Sequence, residues 1–364
     1  MTGRVLSKSD LVVLTIGVVS VAAAGTLHYS GVPAVLAFVV AGAAVALLAS
    51  LVGRSVEQLG DRFGPGATGV LQSALGNLPE LFIGFFALKA GLLAVVQAAI
   101  IGSILSNILL VLGLAFLVGG LKHGPQRFDS ARARTSTVLM VLATAALVMP
   151  SLAQYVHAPA APHEKALSLV VSVVLLGVFL LSLPSALKRS PAAAPVDSAP
   201  ADSAPAAEHG GPRWPLWLAI TMLTGASLAA ALVSDWFVSA LEPAIAALGV
   251  SQAFAGLVIV AIAGNAIENV VGIQLAYRNQ ADFAMSVIIQ SPLQVALVLA
   301  PALVLLSLFT ATTLTLVFAP LLVMAVAVAV LATAFIVFDG ESTWLEGVTL
   351  IALYAIIATT FWWG

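Results

Sequence analysis

Apolar residues run through this chain in long, nearly unbroken blocks, and polar residues are confined to short stretches between them. The hydrocarbon core of a bilayer is about 30 Å thick and takes about 20 helical residues to cross. Eleven blocks reach that length, near residues 10–29, 32–52, 67–89, 92–118, 133–154, 164–186, 214–233, 253–277, 283–308, 313–337 and 344–362. A transmembrane barrel alternates apolar and polar positions in segments of about 10 residues, whereas Ile100 to Phe116 is apolar almost throughout. The pattern predicts an all-α integral membrane protein with about eleven transmembrane helices.

Composition agrees and removes several functions. Of 364 residues, 61% are apolar and 8% charged, where a soluble domain carries roughly 25% charge. Lys and Arg number 14 against 16 Asp and Glu, so no basic excess serves a nucleic-acid partner; the expected partner is the lipid bilayer. The chain has no Cys, which excludes disulfides, thiolate metal ligands and cysteine nucleophiles. Its five His offer no zinc-type cluster, and no H-E-x-x-H or nucleotide-binding loop points to an intramembrane enzyme.

Positive charge sets the orientation, because short cytoplasmic connectors retain Lys and Arg. With the N-terminus inside, Arg4, Lys8, Arg54, Arg62, Lys122, Arg127, Arg132, Arg134, Lys188, Arg189, Arg213 and Arg278 are cytoplasmic, and only Lys89 and Lys165 fall outside. Eleven spans then put the C-terminus outside. Arg4, Lys8 and Ala22-Ala23-Ala24 outline a cleavable signal peptide, but the apolar run continues to Leu27 and a second block follows at once. The first block is therefore read as a retained helix. No organellar signal is visible, which points to a prokaryotic cytoplasmic membrane.

An internal repeat organises the rest. Gly76-Asn77-Leu78-Pro79-Glu80 matches Gly264-Asn265-Ala266-Ile267-Glu268 at an offset of 188 residues, and the same offset aligns Gly102-Ser103-Ile104-Leu105 with Gln290-Ser291-Pro292-Leu293. Five spans per copy is an odd number, so the copies enter the membrane from opposite sides, as in many secondary transporters. The expected organisation is an extra N-terminal helix at 1–31, a first repeat at 32–187, a cytoplasmic Pro/Ala/Ser-rich acidic linker at 188–213 and a second, inverted repeat at 214–364. Binding sites in such proteins lie near the midplane at the repeat interface.

Glu80 and Glu268 are the acids well inside the expected spans, and an ionised carboxylate at the bilayer centre costs at least about 2.5–3.5 kcal/mol. No Lys or Arg occupies a mid-span position to offset this. A bound cation or a bound proton remains. Gln72, Ser73, Gly76, Asn77 and Glu80 recur at helical spacing on one face. Ser103, Ser106 and Asn107 share a face of the next span, as do Ser291 and Gln294 of its counterpart. Pro79 frees a backbone carbonyl one turn back. Two carboxylates with amide, hydroxyl and carbonyl oxygens suit a hard cation such as Ca2+. They can equally hold two protons, titrating as a coupled pair. No permanently bound cofactor is expected.

Gly76–Gly113 and Gly264–Pro301 resemble the two signatures of the cation/proton exchanger family, within the calcium/cation antiporter superfamily. Two departures stand in the second: Asn269 where the family commonly has His, and Gln290-Ser291-Pro292 where it has Gly-Ser-Ser. The resemblance implies a secondary transporter that exports Ca2+ against protons, with Glu80 and Glu268 as alternating Ca2+ ligands and proton acceptors. Asn77, Asn265, Ser103, Ser106, Asn107, Ser291 and Gln294 are its implied supporting polar residues. A Na+/Ca2+ exchanger of the same superfamily is the alternative, disfavoured because Asn77-Leu78 and Asn265-Ala266 lack the Thr-Ser pair of that branch and position 295 is Val. A cation channel fits an inverted repeat less well. Gly84, Gly256 and Gly272 lead to the expectation that the two Glu-bearing helices cross closely at these small residues.

Overall fold

The computed structural model describes residues 8–62, 71–72, 74–188 and 214–363. Ser73, Arg4 and the linker from residue 189 onward lie outside them. The chain forms α1 (Lys8–Tyr29), α2 (Ala34–Gly60), α3 (Leu78–Lys89), α4 (Leu93–His123), β1 (Gln126–Arg127), α5 (Ser130–Tyr155) and α6 (Glu164–Lys188). After the linker come α7 (Leu216–Leu248), α8 (Gln252–Gly264), α9 (Ala266–Tyr277), α10 (Ala281–Ser307), α11 (Pro320–Val337), β2 (Glu341–Ser342) and α12 (Trp344–Thr360). β1 and β2 pair antiparallel, Gln126 opposite Ser342.

Local chemistry accounts for the ends. Thr343 and Glu346 form a reciprocal capping box at the start of α12, with the Glu346 carboxylate accepting the Thr343 N–H at 2.8 Å. α7 stops at Gly249 and the turn between α3 and α4 passes through Gly91, both at positive φ where a side chain would be strained. α4 and α10 are the most enclosed long helices and α1 the least. Exposed apolar side chains such as Val18, Val19, Leu181 and Phe335 suit a hydrocarbon surround.

Among the described residues, eight helices are long and apolar enough to cross a membrane, or nine if α8 and α9, bent by 65° at the break between them, count as one span. Two of the eleven expected spans do not meet that test. The block at 344–362 forms a helix of 17 residues. The block at 67–89 lies partly outside the described residues, and its helix breaks at Asn77, leaving the 12-residue α3. A third expectation needs correction: the block at 313–337 starts its helix only at Pro320. Leu314, Leu316 and Phe318 are buried at alternate positions of an extended stretch instead, and Pro favours the first turn of a helix, where its missing N–H has no partner to lose.

That stretch crosses the ends of several helices, and side chains satisfy its backbone. Ser307 accepts the Leu314 N–H at 2.9 Å, Ser168 accepts Leu316 N–H at 2.9 Å, and Ser151 accepts Phe318 N–H at 2.9 Å while donating to Leu316 O at 3.0 Å. Gln97 donates to Thr315 O and Val317 O, and Tyr155 to Phe318 O. Unpaired backbone polar groups within a bilayer cost several kcal/mol each, so an extended segment persists there only with such partners.

The secondary structure recurs at the offset found in the sequence. α3 and α9 begin at Leu78 and Ala266 and end at Lys89 and Tyr277, each pair 188 residues apart. α4 and α10 begin at Leu93 and Ala281, and the π-helical turn Ser106–Val111 inside α4 is matched by Val295–Leu299 inside α10.

Candidate cation site

Both GNxxE segments break their helix at the Asn. Asn77 has φ −92° and ψ 18°, and Asn265 φ −89° and ψ 14°, in the sparsely populated bridge region. Pro79 alone does not cause the break, since the second copy has Ile267 there and breaks alike. What the copies share is an Asn whose side chain is captured by the other half. Asn77 Nδ2 donates to Gln294 Oε1 at 3.0 Å. Asn265 Nδ2 donates to Ser103 Oγ at 3.1 Å and to Ala261 O at 2.8 Å, while its Oδ1 accepts from Asn107 Nδ2 at 3.1 Å and Ser291 Oγ at 3.3 Å.

The residue three positions on is Glu80 in one half and Glu268 in the other. Each sits in the first turn of the new helix, where unpaired N–H groups and the helix dipole favour a negative charge. The two carboxylates lie near enough to interact electrostatically. Yet Oε2 of Glu80 and Oε2 of Glu268 are buried without a hydrogen-bond partner among the described residues, and so are Oδ1 of Asn107 and Oδ1 of Asn269. A buried oxygen left in this way calls for a proton or an ion. Neither ion pair found among the described residues, Arg54–Asp10 and Arg127–Glu341, touches the two glutamates. Among the described residues no three His, Cys, Asp or Glu side chains cluster so as to hold a metal ion; the oxygens gathered here are the two carboxylates with neutral amides and hydroxyls.

Most residues singled out in the sequence meet here. Asn77, Asn265, Ser103, Asn107, Ser291 and Gln294 are buried and joined across the halves. Ser106 is buried but donates to Ser103 O within its own helix. The expected crossing is corrected: Gly84 meets Leu303 of α10, Gly256 meets Val95 and Ala98 of α4, and Gly272 meets Ile288 of α10. The two Glu-bearing segments touch instead where Gly264 lies against the Glu80 side chain. A narrow cavity of about 30 Å³, room for one water, reaches Glu80 between α3 and α4 and is lined by Ile83, Gly84, Ala99, Ile100 and Leu303. Sequence reasoning named Asn269 only as a departure; its buried, unpartnered oxygen, on the same face as Asn265 one turn earlier, marks it as part of the site.

A family model described as sodium/calcium exchanger protein matches residues 33–187 and 218–363. The chain belongs to that family. This exchanger-family chain is 36% identical to a Ca2+/H+ antiporter of Synechocystis over 98% of its own length and 97% of the relative's. It is 35% identical to the Ca2+/H+ antiporter ChaA of Bacillus subtilis over 90% and 92%. The crystal structure of the Ca2+/H+ antiporter YfkE superposes with a TM-score of 0.78 at 32% identity, covering 96% of this chain and 99% of that one. Within the exchangers, the chain groups with the cation/proton exchangers whose signatures its two GNxxE regions resemble, and it is an integral membrane protein.

Proposed function

We propose that this chain is a secondary-active antiporter that exports Ca2+ in exchange for protons, and not an enzyme. The observation that carries the reading is the pair of buried, unpartnered carboxylate oxygens on Glu80 and Glu268, placed at equivalent helix breaks and surrounded by neutral oxygens. One Ca2+ neutralises both carboxylates, and so do two protons; the ligands compete for the same pair. The names of the bacterial relatives support the substrates, and their bacterial source supports placing the chain in a bacterial cytoplasmic membrane.

In this reading the protein has eleven spans in two inverted five-helix repeats, with α1 as the extra helix, the N-terminus inside and the C-terminus outside. The recurrence of α3, α4 and the π-turn at one offset supports the repeat, and the cytoplasmic excess of Lys and Arg supports the orientation. Asn77, Asn265, Ser103, Asn107, Ser291 and Gln294 hold the two breaks together. The site then faces one side of the membrane at a time, and competition between Ca2+ and protons becomes exchange.

The test is 45Ca2+ uptake into proteoliposomes under an imposed pH gradient or an imposed Na+ gradient, for the wild type, Glu80→Gln and Glu268→Gln. Uptake driven by the pH gradient and lost in both variants is expected. Uptake that requires Na+ moves the chain to the Na+/Ca2+ exchangers, and uptake that survives either substitution removes that glutamate from the site.

A further inference from the structure

Of the four buried site oxygens without a hydrogen-bond partner among the described residues, the carboxylate oxygens of Glu80 and Glu268 are counterparts at the 188-residue offset, but the amide oxygens of Asn107 and Asn269 are not. The counterpart of Asn107 is Val295 and that of Asn269 is Leu81, a buried and a half-buried apolar side chain. Asn107 lies one turn C-terminal of Ser103 on α4, and Asn269 one turn C-terminal of Asn265 on α9; Ser103 and Asn265 are hydrogen-bonded to each other. The two helices also end together, where Lys122 Nζ and His123 Nε2 meet the Tyr277 carbonyl at 3.1 and 2.9 Å. Val295 and Leu81 lie toward the other end, where Gly84 of α3 packs on Leu303 of α10. The unpartnered amide oxygens are thus gathered on one side of the glutamate pair, and the equivalent places on the other side are apolar. The Asn107 amide cannot be turned round: its Nδ2 donates to Ser103 O at 2.9 Å and to Asn265 Oδ1 at 3.1 Å, both acceptors, so the oxygen is the end left over.

We propose that Asn269 Oδ1 ligates the transported cation directly, together with Asn107 Oδ1, and that the two amides form a neutral cap on the Lys122–Tyr277 side of the glutamates. The inference rests on the antiporter reading above and names ligands which that reading leaves open. Ca2+ takes about six to eight oxygens, and two carboxylates supply at most about four. The two amide oxygens bring the protein ligands to about six and add no charge, so one Ca2+ still neutralises the pair and two protons still discharge it. An amide stays neutral as the pH changes; it adds to the affinity for the cation without taking up the protons that displace it. An amide oxygen at position 269 also keeps the ligand set hard, where an imidazole nitrogen would suit softer metals. The Lys122–Tyr277 side is cytoplasmic in the orientation given above, so an exported cation meets the cap first.

Tb3+, an oxygen-seeking ion close to Ca2+ in size, tests this, because its emission lifetimes in H2O and D2O count the waters bound to it. Purified wild type is expected to bind Tb3+ and to release it to Ca2+. Asn269→Ala should add about one water to the bound ion and weaken calorimetric Ca2+ affinity by about tenfold or more. Should Asn269→Ala fail to fold, Asn269→Ser decides by the same two measurements, since it keeps a polar side chain but draws the oxygen back from the ion. Thr359→Ala, exposed on α12, should change neither. An unchanged water count in the Asn269 variant overturns the proposal even if affinity falls, because a residue that only braces the site gives up no place on the ion. A wild type that binds neither ion, or that lacks proton-driven 45Ca2+ uptake, refutes the antiporter reading instead, so the two failures are distinguishable.

Discussion

Gly264 lies directly against Glu80: a β-carbon on Gly264 would stand 2.9 Å from Glu80 Cγ. The break in the second half is thus the wall against which the carboxylate of the first half is held. One methyl group at Gly264 must displace that carboxylate or the helix that carries it.

Gly264→Ala is therefore expected to lower proton-driven 45Ca2+ uptake by about tenfold or more, a loss on the scale produced by misplacing a functional group by an ångström. Gly225, inside α7, has open space around its missing side chain. Gly225→Ala should keep full uptake and gain up to about 1 kcal/mol from helix propensity. Equal uptake in Gly264→Ala and Gly225→Ala would show that the Gly264 contact does not matter.

Asn265 is the most connected side chain of the site, with hydrogen bonds to Ser103, Asn107, Ser291 and the Ala261 carbonyl. Asn77 has one such bond, to Gln294. Asn265→Ala leaves buried donors without partners, at about 1–3 kcal/mol for such a group, and should lower the melting temperature in detergent more than Asn77→Ala does. The reverse order would contradict the assigned network.

Ca2+ and protons competing for two carboxylates give a definite sign to the pH dependence. Binding of the cation releases protons, so apparent Ca2+ affinity rises with pH until both groups are ionised. Below that range, calorimetry at several pH values should find up to about two protons released per Ca2+ in the wild type, and no more than about one in Glu80→Gln or Glu268→Gln if binding persists. A pH-independent affinity would separate Ca2+ from the glutamates.

Ser151 accepts the Phe318 N–H and donates to the Leu316 carbonyl, and it is fully buried. Ser151→Ala strands both backbone groups of the extended stretch and should destabilise the protein by about 1–3 kcal/mol. Thr359, exposed on α12, bonds only the Ala355 carbonyl of its own helix, so Thr359→Ala serves as the control with little expected change. Thermal unfolding of both variants checks this.

The sequence by itself determined the membrane class and the family, and it singled out two GNxxE segments 188 residues apart, because each rests on a signal along the chain: runs of apolar residues about as long as a bilayer is thick, and an acid inside such a run that nothing nearby neutralises. It did not mark the breaks at Asn77 and Asn265, which fall inside apolar runs expected as single spans. Tertiary structure decided which residues meet. Gly84, Gly256 and Gly272 are equally small in sequence, yet none joins the two Glu-bearing helices, because the packing partner of a helix face depends on the axes of its neighbours. The same holds for the extended stretch before Pro320, whose backbone is satisfied by side chains drawn from α4, α5, α6 and α10.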